Sequence, residues 1–418
     1  MTMASADLFS AVFLAALTLN VVLHVWLARR HLRHVSAHRQ CVPAAFAAHI
    51  TLAEHHKAAD YTRAKTRLGL VEFAVGVLLL LALSYGGVLQ QAHLACARWF
   101  GADSYTYGLA LFACVGILSF GVDLPFTLYR TFVLEARFGF NKMHWRLFLT
   151  DLLKQGLLSI AIGAPVLLAV LWLMAVMGSH WWLYVWLFWL AFNLLALLLY
   201  PSLIAPLFNT FSPLDDPELK SRIEALLARC GFRTSGLLVM DGSRRSAHGN
   251  AYFTGFGAAK RIVFFDTLLV RLGGAEIEAV LAHELGHYRH RHIWQRMGLL
   301  ALLTLAALYA LGVLIAQPWF YAGLGVTASS TALALILFSL LLPVFTFLVA
   351  PLLAHISRRH EYQADAYAAS QTQATDLVSA LVKLYRDNAA TLTPDPLHSL
   401  FYDSHPPAAL RIAQLHPA

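Results

Sequence analysis

Apolar residues run along this chain in long unbroken blocks rather than in the short alternations of a soluble domain. Seven blocks are long enough to cross a bilayer, which takes about 20 residues per helix. They lie near 8–28, 69–90, 106–125, 155–177, 182–203, 294–316 and 329–353. The fifth ends at Tyr200-Pro201, where a proline without an N–H predicts a kink or a stop. Only a few residues around Gly178-Ser179-His180 part the fourth block from the fifth, which implies a tight hairpin. The first block has no basic leading region and no small-residue cleavage site, so it is expected to stay as an anchor.

Between the fifth and sixth blocks the pattern changes. Leu214 to Cys230 reads as an amphipathic helix with Leu219, Ile223, Leu226 and Leu227 on one face, and Gly231 fits its C-cap. Leu237–Met240, Ala251–Phe256 and Arg261–Phe265 read as strands, the last two joined by a turn over Gly257 to Lys260. Ala275 to His292 reads as a helix. Residues 53–67 and 357–388 also read as helical, and the tail is short and Pro-rich. Four regions follow: a membrane region of five helices at 1–204, a catalytic region at 205–293, spans six and seven at 294–353, and a C-terminal region at 354–418. The fold class is an α-helical polytopic membrane protein with a small α+β cap.

Composition and charge agree. Of 418 residues 59% are hydrophobic and 13% charged, against about a quarter charged in a soluble domain. If the N-terminus is outside, the cytoplasmic stretches are 29–68, 126–154, 204–293 and 354–418. With Arg296 at the membrane edge, they hold 30 of the 31 Lys and Arg; Arg98 is the exception. The basic balance is therefore topology. It is not a nucleic-acid footprint, which needs interleaved aromatics on a soluble face. Cys41, Cys96, Cys114 and Cys230 fit no metal knuckle or disulfide framework. The six histidines from His31 to His56 are irregularly spaced and read as solvated loop residues.

The chemistry sits in His283-Glu284-Leu285-Gly286-His287. On a helix His283 and His287 share one face and can reach one ion, and Glu284 is placed to handle the protons of a water there. This is the zinc-protease pattern H-E-x-x-H, which arises by chance in roughly a few per cent of chains of this composition. A zinc hydrolase needs a third protein ligand. The best candidate is Glu361, on the same side of the membrane; the alternative is a solvated carboxylate paired with Arg358. Asp365, one turn on, could accept the free N–H of a liganding histidine. His405 and Arg411 are candidate donors to an oxyanion. His290 and His292 stand at the wrong helical positions for the same ion and read as surface or interface residues. The strands before the motif helix offer an edge that could hold an extended peptide over the metal.

Together these residues resemble the CAAX prenyl protease 1 family of membrane zinc endopeptidases. The likeness runs over nearly the whole chain, through Arg137–Lys142, Pro206–Asn209, Ser246–Phe253, Lys260–Val263, His283–His287, Glu361–Asp365 and Ser404–Pro407. It implies seven helices around a water-filled chamber, with one zinc ion per chain beneath a zincin-like cytoplasmic cap. His283, His287 and Glu361 match the ligands, Glu284 the catalytic base and Asp365 the carboxylate supporting a ligand. Asn250 matches a residue of the substrate-pairing strand, which extends the expected peptide site to His248, Ala251 and Tyr252. His405 and Arg411 match polar residues facing the metal. Two positions depart from the pattern: Gly249 stands where Ser is common, and Leu410 where an acidic residue often precedes the Arg.

The expected function is cleavage of peptide bonds at the cytoplasmic membrane face, CAAX-type by resemblance, on peptide or lipidated-peptide substrates. The chain is expected to be a monomer without nucleic-acid partners. The alanine- and leucine-rich composition suggests a bacterial inner membrane. Competing readings are a quality-control protease of the heat-shock type and a transporter or scaffold with a structural metal. The last predicts charges deep inside spans, and only Glu72 and Asp123 lie near span ends.

Overall fold

The computed structural model describes residues 2–102, 104–254 and 260–415. Seven helices are long and apolar enough to cross a membrane: Ala4–Ala37, Leu52–Leu83, Tyr105–Phe138, Trp145–Val176, Gly178–Phe208, His292–Leu314 and Thr331–Gln371. Most outrun their apolar blocks. The expected helix at 53–67 is the first half of the second span, and 88–90 belong to a separate helix, Val88–Phe100.

Six of the seven apolar windows have only 6–17% of their residues buried, the seventh 44%. Helices packed against one another as a solid bundle would hide their inward faces. These spans leave most of their window residues uncovered by one another. The tight contacts gather at the end away from the basic loops, where Phe13, Tyr107, Phe320 and Leu333 form a buried cluster.

Pro201 neither stops nor sharply ends the fifth span. The chain absorbs it in a π-helical turn, Tyr200–Ile204, and a second such turn, Arg130–Glu135, ends the third span. Past that second turn Gly139 takes φ +83°, and Phe140 to Lys142 pair with the backbone of 245–247. The Arg245 guanidinium then forks onto Asp151 of the fourth span at 2.8 and 2.9 Å. The cap is thus bolted to the membrane helices.

The cap holds a four-stranded sheet in the order β1-β2-β4-β3. β1 is Phe211–Pro213, β2 Gly236–Met240, β3 Ala251–Thr254 and β4 Arg261–Phe265. β2 and β4 run parallel and the outer pairs antiparallel. β3 is an edge strand. The expected Phe256 and the turn from Gly257 fall outside the described residues. β1 is too short to show as alternation in the sequence. Helix Pro217–Arg229 begins where Asp216 accepts the Leu219 N–H at 2.9 Å. Its Leu219, Ile223 and Leu226 pack with Ile262 and Phe264 of β4 and with Ile277, Leu281 and Leu285 of the motif helix, Gly274–Arg289.

The seventh span does not end at the membrane. It continues through a 3-10 turn, Phe347–Val349, into helix Ala350–Gln371, which carries Glu361. This helix packs directly on the motif helix. A Cβ at Gly286 would lie 2.8 Å from the Ala364 Cα and 3.0 Å from its carbonyl oxygen. Only glycine allows that approach, and fully buried Ala364 and Ala368 complete the seam.

The motif helix is fixed at its start by Glu276. Its carboxylate accepts from the Gly273 N–H, from Ser379 and from Lys383, at 2.6–2.7 Å. Burial pushes this carboxyl up, but those donors outweigh it and hold it below its ordinary 4.5.

Two outcomes are expected. Gly286→Ala forces the two helices apart and costs about 1–3 kcal/mol, read as a lower melting temperature together with lost metal. Glu276→Gln costs about 1–3 kcal/mol at neutral pH. A depressed carboxyl stabilises above its ordinary pKa and stops doing so once protonated in the fold. The gap between wild type and variant therefore closes as pH falls below 4.5, which melting curves across an acid series would show.

Candidate metal centre

His283 and His287 stand one turn apart on the motif helix, with their Nε2 atoms 3.2 Å apart. Across the Gly286 seam, Glu361 places Oε2 3.4 Å from His283 Nε2 and Oε1 3.3 Å from His287 Nε2. Among the described residues this is the one group of three side chains able to hold a metal. Donors about 2.1 Å from a tetrahedral ion stand roughly 3.4 Å from each other, so the spacing fits one. Glu361 Oε2 is buried without a hydrogen-bond partner, as an atom reserved for a cation would be. Glu361 is not paired with Arg358, whose guanidinium bonds instead to the carbonyls of Ser399, Leu400 and Asp403.

The electrostatics also ask for positive charge. Burial pushes the His283 imidazole down, but the carboxylates of Asp365 and Glu361 outweigh it and raise it to about 9. The site thus gathers a proton where an ion could sit. Glu284, half-buried beside His283, has its carboxyl pushed up by burial and then by Glu361, against the two histidines. It makes no hydrogen bond among the described residues.

Asp365 accepts from His283 Nδ1 at 2.8 Å. In the neutral ring that leaves the Nε2 lone pair toward the cluster. Arg411 is buried and forks onto Asp365 at 2.7 and 2.6 Å. Its Nη1 stands 3.8 Å from Glu361 Oε2. Nε and Nη2 thus serve the supporting carboxylate, while Nη1 faces the cluster. His405 approaches from the open side, with Nε2 3.3 Å from Glu361 Oε1 and an exposed ring.

Of the surface or interface positions expected for it, His292 takes the buried, interface one. The helix expected over 275–292 ends at Arg289, and Arg291 adopts φ +58°, a left-handed conformation uncommon outside glycine. The chain turns there and brings His292 Nδ1 to 2.9 Å from His287 Nδ1. His292 Nε2 meets Gln363 Oε1, also at 2.9 Å. With His287 Nδ1–H donating to His292 and His292 Nε2–H donating to Gln363, His287 too presents a lone pair to the cluster. Helical periodicity could not reveal this, because it assumes the helix continues. His290 is exposed and stacks on His292.

The candidate peptide strand is divided. Asn250 is exposed and its side chain accepts the Ala251 N–H. Ala251 and Phe253 face the cap core, while Tyr252 points to the other face. The second edge of β3 has no strand on it among the described residues. His248 is held in a clamp: it stacks on Phe140, contacts Asn388 at 2.9 Å and lies 3.6 Å from Glu135. None of its contacts reaches the metal cluster. The histidines of the first loop are not all solvated: His31 and His55 are buried, His31 stacked on His398.

Residues 31–210 match the family model for the CAAX prenyl protease N-terminal region with five membrane helices, and residues 213–418 match peptidase family M48. The chain is 34% identical to CAAX prenyl protease 1 of Saccharomyces cerevisiae over 86% of its length and 85% of that protein. It is 36% identical to a CAAX prenyl protease 1 homolog of Oryza sativa, over 86% of each. The crystal structure of S. mikatae Ste24p superposes with a TM-score of 0.91 at 32% identity, covering 97% of this chain and 99% of that one. Two matched halves, related sequences and a shared seven-span fold lead to one conclusion: the chain is an integral multi-pass membrane protein of the CAAX prenyl protease 1 family, a metalloendopeptidase of peptidase family M48.

Proposed function

We propose that the chain binds one zinc ion through His283, His287 and Glu361 and cleaves CAAX-type C-terminal peptides at the cytoplasmic face of the membrane. The observation that carries this is the three-donor cluster at 3.2–3.4 Å beside an unbonded Glu284. The relatives' names supply the substrate class. Two imidazoles and a carboxylate are a borderline donor set that suits zinc and leaves a fourth position open.

When bound, zinc supplies Lewis acidity to a peptide carbonyl and acidifies a water. The protein's own groups do the rest. The free edge of β3 receives an extended peptide by backbone pairing, with Asn250 to Tyr252 along it. Glu284 takes the water's proton and delivers it to the departing amine. Its raised carboxyl suits it to both halves of that exchange. His405, on the open side, donates to the oxygen that gains charge. Arg411 holds Asp365, Asp365 holds His283, and Gln363 through His292 holds His287. His248 positions the strand from behind, through Phe140 and Asn388.

Orientation rests on charge. Nearly all Lys and Arg lie on the cap side, which supports a cytoplasmic cap. Composition favours a bacterial inner membrane, although the relatives named above are eukaryotic. A monomer suffices, since every group above comes from one chain.

Purified protein should cleave a farnesylated CAAX peptide and lose that activity on chelation. An inert protein would reject the proposal, and equal turnover of unprenylated peptides would favour quality control. Glu284→Ala should keep its zinc and lose turnover by roughly a hundredfold or more. His292→Phe keeps the ring stack but removes the acceptor for His287. Zinc affinity should fall roughly 10–100-fold, measured by competition with a chelating dye. Unchanged affinity would show that His287 needs no such support.

A further inference from the structure

A cavity of about 740 Å³ opens behind the segments that carry Glu361, His405 and Arg411, yet none of those three lines it. Its size falls in the range of small-molecule pockets, roughly 300–1,000 Å³. The walls are mostly apolar: Pro43 from the first loop, Leu392 and Pro406 from the C-terminal region, and Leu410 just before Arg411. Every charged residue lining it is basic, chiefly Arg358 and Arg359, and no carboxylate is among them.

Two polar atoms of the lining residues are buried with no partner, Arg358 Nη2 and Thr393 Oγ1. The other terminal nitrogen of Arg358 is in use, since Nη1 lies 2.8–3.2 Å from the carbonyls of Ser399, Leu400 and Asp403. A buried cationic N–H without an acceptor is costly, and an anion at that point would remove the cost. Thr393 offers a second donor.

The approach to the cavity has the same character. An adjoining groove shares His34 with it and runs down the first span from Arg29 and Arg33 to Trp26, Val22 and Val21. The order along that helix is basic, aromatic, apolar, which matches a membrane surface in cross-section. Arg30 is paired with Asp395, whereas Arg29 and Arg33 have no partner among the described residues.

We propose that this cavity binds a single-chain anionic lipid such as a fatty acid. Its anionic head lies at Arg358, Arg359 and Thr393, and its hydrocarbon lies against Pro43, Leu392, Pro406 and Leu410. The bound chain ties the first loop to the helix that carries Glu361. This does not depend on which peptide the metal site cleaves.

The test uses the zinc-loaded full chain in phosphatidylcholine nanodiscs with a diazirine-bearing palmitate. Photolabelling should map to peptides spanning 355–362 or 392–410. Unlabelled palmitate and lysophosphatidate should compete, while hexadecanol and inorganic phosphate should not. Leu410→Trp fills the cavity and should abolish the label. Arg359→Gln, at an exposed position, should weaken palmitate by roughly tenfold and leave hexadecanol unchanged, as loss of one charge-assisted contact allows. Equal competition by hexadecanol, labelling that misses both 355–362 and 392–410, or an Arg359→Gln protein that labels like wild type would each overturn the proposal. If Leu410→Trp fails to fold, Arg359→Gln and the competitor series decide alone.

Discussion

Everything at the candidate centre depends on how closely two helices can approach. The motif helix and the helix after the seventh span meet at Gly286 and Ala364, with no room for one added carbon. A helix supplies donors one turn apart on its own face, which covers His283 and His287. It cannot supply a third donor opposite them. Glu361 must come from another element, and its short side chain reaches both imidazoles only if the backbones nearly touch. The smallest residues on both helices therefore sit at the seam, and packing sets the coordination geometry.

The same second helix orients the histidines as well. Asp365, one turn beyond Glu361, fixes His283 directly, and Gln363 fixes His287 through His292. One rigid element thus supplies one candidate donor and orients the two others. Its own charge is managed from outside: Arg411 neutralises Asp365 from the terminal helix Ala408–Leu415. Two carboxylates buried this close would repel strongly. Arg411 accounts for one, and the imidazoles of His283 and His287 face the other.

Much of this was legible in the sequence because it depends on periods and signs. Apolar length marked seven spans, and basic residues sorted their ends. The i, i+4 histidines with Glu284 marked one half of the centre. What stayed hidden involves departures from regular geometry. Arg291 breaks the motif helix in a conformation that no composition rule favours, and His292 became visible only through that break. Pro201 read as a kink or a stop, and a π turn carries the helix past it. Arg411 faces the cluster with Nη1, as a candidate donor would, but a sequence cannot show that Nε and Nη2 of the same group hold Asp365. His248 carries the same lesson, since its ring is held by Phe140 and Asn388 from distant parts of the chain.

The open membrane region and the tight cap follow from one division of labour. Spans that bury 6–17% of their windows lose packing that a solid bundle would gain. In a bilayer that loss is small, because lipid is as apolar as another helix and the hydrophobic effect does not drive spans together. The cap cannot be built so loosely. It faces water, where burial stabilises, and it must hold donors to a few tenths of an ångström. The protein joins the two at few points: the Arg245–Asp151 fork, the pairing of Phe140 to Lys142 with 245–247, and the unbroken run of the seventh span into the Glu361 helix. The last is the most direct. Between the span and the helix that carries Glu361 stands a short 3-10 turn, Phe347–Val349, flanked by Pro343 and Pro351, so the position of Glu361 is set from the end of a membrane helix.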